Sequence, residues 1–274
     1  MIRTAIFPVA GKGTRMLPAT RAVPKELLPV LDKPLIDFAI EEAIDAGIER
    51  LIFVTSPQKT AIHHHVISAP DHAALMTAPD LIFTEQLKPL GLGHAILVAQ
   101  PHVLPGPVAV LLPDDLIVDG PGCLSEMVAA YESTSAHHLV ASMTVPGEHV
   151  SRYGILDITS TNGPILPASS VIEKPASDTA PSDQAVVGRY ILDPSIFDAI
   201  AAQEPDASGE IQLTDAIADQ AKYGLAGFQF AGRRFDCGSK EGLLAATLHR
   251  AANDPTYSAA LVSHQPQSAA SAAA

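Results

Sequence analysis

The chain has 274 residues, 47% of them hydrophobic, enough to bury the core of one large domain or two small ones. Lys and Arg total 17 against 30 Asp and Glu, a net charge of −13, which excludes the basic face that general nucleic-acid binding needs. No apolar run approaches the ~20 residues of a membrane span, the proline-broken N-terminus does not fit a secretory signal, and Cys123 and Cys237 stand outside CxxC spacing, so a cytoplasmic protein with reduced thiols is expected.

In chain order, short apolar runs alternate with amphipathic stretches, the pattern of an α/β fold. Thr4–Val9 ("TAIFPV") predicts the first strand, and a cationic, proline-rich loop runs from there to Val30. Leu35–Gly47 predicts a helix: Leu35, Ile36, Ala39, Ile40, Ala43 and Ile44 recur at helical spacing, and Gly47 supplies the stop. Strands are predicted at Arg50–Thr55, Leu81–Glu85 and Pro107–Asp115, with helices near Gly93–Gln100 and Leu124–Thr134 between and after them. After Ala136 the pattern changes to strand-like pieces joined by polar, proline-rich connections: His138–Val145, Tyr153–Thr159, Ser169–Pro175 and Ala185–Leu192. Helical character returns near Ser195–Ala202 and Glu210–Tyr223.

The expected architecture is a mixed, mostly parallel central sheet flanked by helices. It forms a single domain over residues 1–252, with a nucleotide-binding half at 1–135 and a sugar-phosphate half at 136–252. The Ala/Ser/Gln-rich residues 253–274 lack periodicity and are expected to be a disordered tail.

The loop "PVAGKGTRMLPATRAVPKELLPV" (Pro8 to Val30) invites comparison with two phosphate motifs, and neither fits. A P-loop requires GxxxxGK followed by Ser or Thr, but Lys12 precedes Gly13; a dinucleotide fingerprint requires a third glycine where Met16 stands. The chemistry of a phosphate cradle is nevertheless present. Gly11 and Gly13 can let backbone N–H groups approach an anion, Arg15 and Lys25 supply charge, and Pro18, Pro24 and Pro29 stiffen the segment. The competing reading is a solvated surface loop with scattered cations, which suits Lys12 and Arg21.

Two aspartates draw attention. Asp114 in "LLPDD" sits at the C-terminal end of an apolar strand, where open α/β sheets place ligands, and Asp236 in "RRFDCGSK" ends another before a glycine turn. Taken alone, each also suits a helix N-cap, and Asp115 reads as a structural neighbour. The consecutive histidines 63 to 65, with His72, point in different directions on a helix and suit its surface better than a metal; His137 and His138 read the same way.

"GKGTRMLPAT" followed by "PKELLPV" and "KPLI" resembles the signature of the nucleotide-sugar pyrophosphorylases, in the form typical of bacterial UTP–glucose-1-phosphate uridylyltransferases, and the resemblance continues to about residue 250. It implies a Rossmann-like fold, Mg²⁺, and UTP and glucose 1-phosphate as substrates, joined to give UDP-glucose and pyrophosphate. It implies nucleotide contacts at Ala10, Gly11, Gly13, Thr14, Gln86 and Gly91, with Arg15, Lys25 and Lys174 neutralising phosphate. Gly154, Glu173, Val187 and Gly188 would face the sugar, and Asp114 and Asp236 would hold the metal. A side-chain amide at Gln86 matches an imide edge, but uracil and thymine share that edge, so dTTP or another sugar phosphate is the alternative, as is a non-catalytic binder of the same fold. The stretch from Lys59 to Leu81 is shorter than in typical members. Self-association as a homodimer or homotetramer is also implied, without nucleic acid or membrane as partner.

Overall fold

The computed structural model describes residues 1–68 and 80–263. In chain order the first half contains β1 (Thr4–Pro8), β2 (Pro29–Val30), β3 (Lys33–Pro34), α1 (Leu35–Asp45), β4 (Arg50–Thr55) and α2 (Thr60–Ser68). It continues with β5 (Asp80–Glu85), α3 (Gly91–Ala99), β6 (Val108–Leu111), β7 (Asp115–Val118) and α4 (Cys123–Glu132). The second half adds β8 (His138–Thr144), β9 (Gly154–Ile158), β10 (Ile165–Glu173), β11 (Gln184–Leu192), α5 (Ser195–Ala201) and α6 (Leu213–Gln220). It closes with β12 (Leu225–Gln229), β13 (Arg233–Asp236), α7 (Lys240–Asn253) and α8 (Pro255–Ser263).

Nine strands form one sheet in the order β5-β4-β1-β6-β11-β8-β12-β10-β9. β5, β4, β1 and β6 are mutually parallel. Beyond them only β11 and β10 run against the common direction, so the sheet is mixed and mostly parallel, as expected. Successive strands β1, β4 and β5 extend to one side of β1 while β6 lies on the other, which creates a reversal of strand order at β1 and β6; such a switch point opens a crevice at the strands' C-terminal ends.

Period-two alternation sends Ala5, Phe7, Leu51 and Phe53 to one face, where they pack on Ile36, Ala39 and Ile40 of α1 and Leu124 and Met127 of α4. Ile6, Ile52 and Val54 go to the other face, against Ala95 and Ile96 of α3 and Leu213 and Ile217 of α6. Each fully buried Leu, Ile or Phe contributes about 2 kcal/mol of transfer free energy, and the two clusters hold helices on both faces. Phe53 stacks between Phe7 and Phe83 with centroids at 4.9 and 5.0 Å, which fixes the parallel half as a unit.

Two expectations change. The strand predicted to run from Pro107 to Asp115 stops at Leu111, because Pro113 has no N–H for a ladder; the chain turns, with Asp115 N–H donating to the Leu112 carbonyl. Asp115 then starts β7, which pairs antiparallel with β13 as a separate two-stranded ribbon. The residues after Asn253 are not all without structure: Asp254 accepts from the Thr256 N–H and starts α8. His72 and residues 264–274 lie outside the described residues. The histidines 63 to 65 lie on α2, with the His63 ring against Phe83 and His65 bonded to Asp37.

Candidate active site

The loop after β1 is pinned rather than free. Met16 is buried beneath it, Gly13 adopts φ 65°, and Thr20 Oγ1 donates to the Gly13 carbonyl. Three single-turn 3₁₀ segments, Thr14–Met16, Ala19–Arg21 and Lys25–Leu27, carry the chain back to the sheet while Ala10, Gly11, Thr14 and Arg15 stay accessible. A Cβ on Gly13 would stand 3.1 Å from Thr20 and 3.2 Å from Lys25, in a left-handed conformation that favours glycine.

Lys25 Nζ lies 2.6 Å from Asp114 Oδ2 at the tip of β6, with both side chains largely buried. Burial opposes the charge on each. The pairing outweighs it, leaving the Lys25 ammonium more basic and the Asp114 carboxyl more acidic than usual. The first half of the site is therefore an ion pair at the switch point.

Asp236 reaches the same place through the ribbon. β13 pairs with β7 so that Asp236 stands opposite Asp115, and the Cys237 N–H donates to the Asp114 carbonyl at 2.8 Å. A Cβ on Gly238 would lie 2.6 Å from Asp114 Oδ2, 3.1 Å from Asp236 Oδ1 and 3.1 Å from Arg15 Nη2. Two carboxylates and a guanidinium thus border one small volume. The Arg15 side chain is 67% exposed and its Nη1 is 3.9 Å from Asp236 Oδ2, which leaves it able to turn to a ligand.

A cleft of ≈ 550 Å³ opens from this point. Gly154 and Glu173, opposite each other on β9 and β10, line it with Lys174 and Val187. Thr214 Oγ1 donates to Glu173 Oε2 at 2.8 Å, and Lys174 Nζ pairs with Glu173 Oε1 at 2.9 Å. Lys174 itself has φ 44°, a left-handed conformation costing about 1–2 kcal/mol for a residue with a side chain; the Tyr153 carbonyl holds it there by accepting its N–H. Gly188 does not line the cleft. A Cβ there would meet Asp115 Cβ at 2.6 Å, so packing requires this glycine, and its N–H donates to Asp115 Oδ2.

Gln86 leaves β5 at the same sheet edge and is buried. Its Nε2 donates to the Gly91 carbonyl at 3.0 Å and lies 2.9 Å from His94 Nδ1. Gly91 has φ 90°, and a Cβ there would stand 2.9 Å from the Ile211 carbonyl oxygen. Packing against residues 210–211 is sufficient reason for that glycine.

A sequence model of nucleotidyl transferases matches residues 5–253. The chain belongs to the nucleotidyl transferase family. Among its relatives in that family, the UTP–glucose-1-phosphate uridylyltransferase of Pseudomonas aeruginosa is 41% identical, covering 90% of this chain and 95% of its own. The Bacillus subtilis protein of the same name is 39% identical, covering 92% of each. A crystal structure of UDP-glucose pyrophosphorylase complexed with UDP-glucose matches with a TM-score of 0.84 at 37% identity, covering 91% of this chain and 98% of that one. The UTP-bound UGPase from Acinetobacter baumannii matches equally well at 36% identity, with 96% and 98% covered.

For a nucleotidyl transferase the donor set suits a hard divalent cation. Asp114 and Asp236 offer oxygen only, and no group of three or more His, Cys, Asp or Glu side chains placed for a metal occurs among the described residues. Two carboxylates completed by phosphate oxygens and water suffice for such a cation. Sequence reasoning missed several supporting groups. Arg234 Nε donates to Asp115 Oδ1 and its Nη1 to the Tyr153 hydroxyl, joining the ribbon to the wall of the cleft. Thr214 stands in the stretch Glu210–Tyr223, read for its helical character without a role for this hydroxyl. Lys59 has no motif around it at all.

Proposed function

We propose that this nucleotidyl transferase moves the uridylyl group of UTP to glucose 1-phosphate, giving UDP-glucose and pyrophosphate. The observation that carries this reading is the convergence of Asp114, Asp236, Arg15 and Lys25 at the mouth of a cleft whose far wall is Gly154, Glu173 and Lys174. Such a site faces two polyanions and separates a triphosphate side from a sugar-phosphate side. The uracil and glucose identities come from the relatives, two of them described with UDP-glucose or UTP bound.

A phosphate oxygen of glucose 1-phosphate attacks the α-phosphorus of UTP, the bond from that phosphorus to the β-phosphate bridging oxygen breaks, and pyrophosphate leaves. The nucleophile needs no general base, since a phosphate monoester with a second pKa of about 6 is already largely ionised at neutral pH. The residues' work is positioning and charge neutralisation. The backbone of Ala10, Gly11, Gly13 and Thr14 and the side chains of Arg15 and Lys25 hold the triphosphate, and Gln86 with Gly91 reads the base edge. Glu173 accepts from sugar hydroxyls beside Gly154 and Val187, while Lys174 meets the sugar's phosphate. Mg²⁺ held by Asp114 and Asp236 supplies neutralisation of the α-phosphate when bound.

Pyrophosphate release from UTP, dTTP, ATP and GTP with glucose 1-phosphate tests the assignment. UTP is expected to lead; a preference for dTTP above about tenfold in kcat/KM would overturn it. The reaction is assigned to the cytoplasm, in keeping with two free, buried thiols. Self-association as a homodimer or homotetramer belongs to the same reading, and exposed Leu244 and Leu248 on one face of α7 supply an apolar stripe for it.

A further inference from the structure

Lys59 lies on the turn between β4 and α2, away from the loop in sequence, and its side chain reaches back to both of the loop's ends. The ammonium donates to the Val9 carbonyl at 2.8 Å and to Glu26 Oε2 at 2.7 Å. Val9 is where the chain leaves β1; Glu26 is the neighbour of Lys25, where it returns. One cation therefore ties the two ends of the segment that carries Gly11, Gly13, Thr14 and Arg15.

Glu26 is fully buried, and its Oε1 has no hydrogen-bond partner among the described residues. Burial pushes the Glu26 carboxyl up and the Lys59 ammonium down, each toward its neutral form. A buried pair of this kind is not a net source of stability; neutral, well-packed side chains of similar volume do as well or better. Stability does not account for it, and geometry does. Lys59, Glu26, Lys25 and Asp114 form a row of alternating charge from the base of the loop to the tip of β6.

We infer that Lys59 is a positioning residue for the nucleotide: through the Val9 carbonyl and Glu26 it sets the loop and Lys25 against Asp114 before the triphosphate arrives. This rests on the proposed function and adds to it a group that touches no substrate. Rigid placement matters here because displacing phosphate-facing groups by about 1 Å costs on the order of a hundredfold in rate.

The test compares the full-length protein with Lys59→Met, Glu26→Gln, the double variant and Lys59→Arg. Pyrophosphate release is followed with UTP and glucose 1-phosphate varied separately, alongside calorimetric melting and UTP titration calorimetry. Lys59→Met is expected to melt lower, since it strands Glu26, and to lose about a hundredfold in kcat/KM for UTP. KM for glucose 1-phosphate should stay within about twofold, as it does when binding of the other substrate is untouched. The double variant should regain the melting temperature but not kcat/KM for UTP. Recovery of both together, or an equal rise in KM for both substrates, would reduce the pair to a structural role and overturn the inference. Should Lys59→Met not fold, Lys59→Arg decides: a raised KM for UTP is expected, and an unchanged one overturns the inference. An unaltered protein that binds UTP without turning it over would count against the reaction, while the calorimetric UTP affinities of the variants would still report on Lys59.

Discussion

A methyl group on Gly238 would enter the space bordered by Asp114, Asp236 and Arg15, 2.6 Å from the nearest carboxylate oxygen. Gly238→Ala is therefore expected to lower kcat by about a hundredfold, in line with misplacement of charged groups, with little change in melting temperature. Asp236→Asn removes charge without volume and should lower turnover by about a hundredfold or more, with only a modest change in UTP affinity measured by titration calorimetry. Unchanged turnover in Asp236→Asn would remove this residue from the metal site. The convergence of Asp114, Asp236, Arg15 and Lys25 was legible because each sits in a quoted motif, the two aspartates at the ends of apolar runs and the two cations in the loop after the first strand. Gly188 was legible as a glycine but not for its reason: Asp115, rather than a sugar, occupies the space where its side chain would go. Lys59 was invisible, since nothing in "SPQKT" indicates that its ammonium crosses to Val9 and Glu26.

Among the elements, α7 anchors the second aspartate. Ser239 Oγ accepts from the Gly242 N–H at 3.1 Å while donating to the Asp236 carbonyl at 2.8 Å, and Gly242 packs so closely on that carbonyl that a Cβ has no room. Loss of this cap in Ser239→Ala should cost about 1 kcal/mol in urea unfolding. β8 carries a different liability. His138 is fully buried, its Nδ1 accepts from the Asp193 N–H, and burial lowers its pKa from 6.5 to about 4. The unfolded chain therefore binds a proton that the folded one refuses as pH falls between those values, so stability declines from about pH 6.5 toward pH 4 by on the order of 3 kcal/mol. Urea unfolding compared near neutral pH and near pH 5 measures the slope, and His138→Leu should flatten it. Element types were read correctly from periodicity wherever an apolar stripe was long, as in α1 and β4. The β7–β13 ribbon was missed because Asp115–Val118 reads as a continuation of β6; only Pro113 marks the break. The short α8 was missed because its composition matches that of a tail.

At the scale of the molecule, one sheet carries strands from both sides of the change of pattern near residue 135, so the two walls of the cleft share a single support. The net charge of −13 lies elsewhere than the loop, where Arg15 and Lys25 present the opposite sign to incoming anions. Leu244→Lys on the exposed stripe of α7 tests the proposed self-association: the mass measured by light scattering is expected to shift toward the monomer while the melting temperature stays near its unaltered value, and no shift would remove the stripe from that proposal. The ribbon has a consequence for biosynthesis. The last strand of the main sheet ends at Gln229, ahead of the residues that bring Asp236 to Asp114. A nascent chain interrupted between those points has every strand of its main sheet but lacks Asp236, so the two aspartates can meet only after the scaffold that holds the first of them has been made.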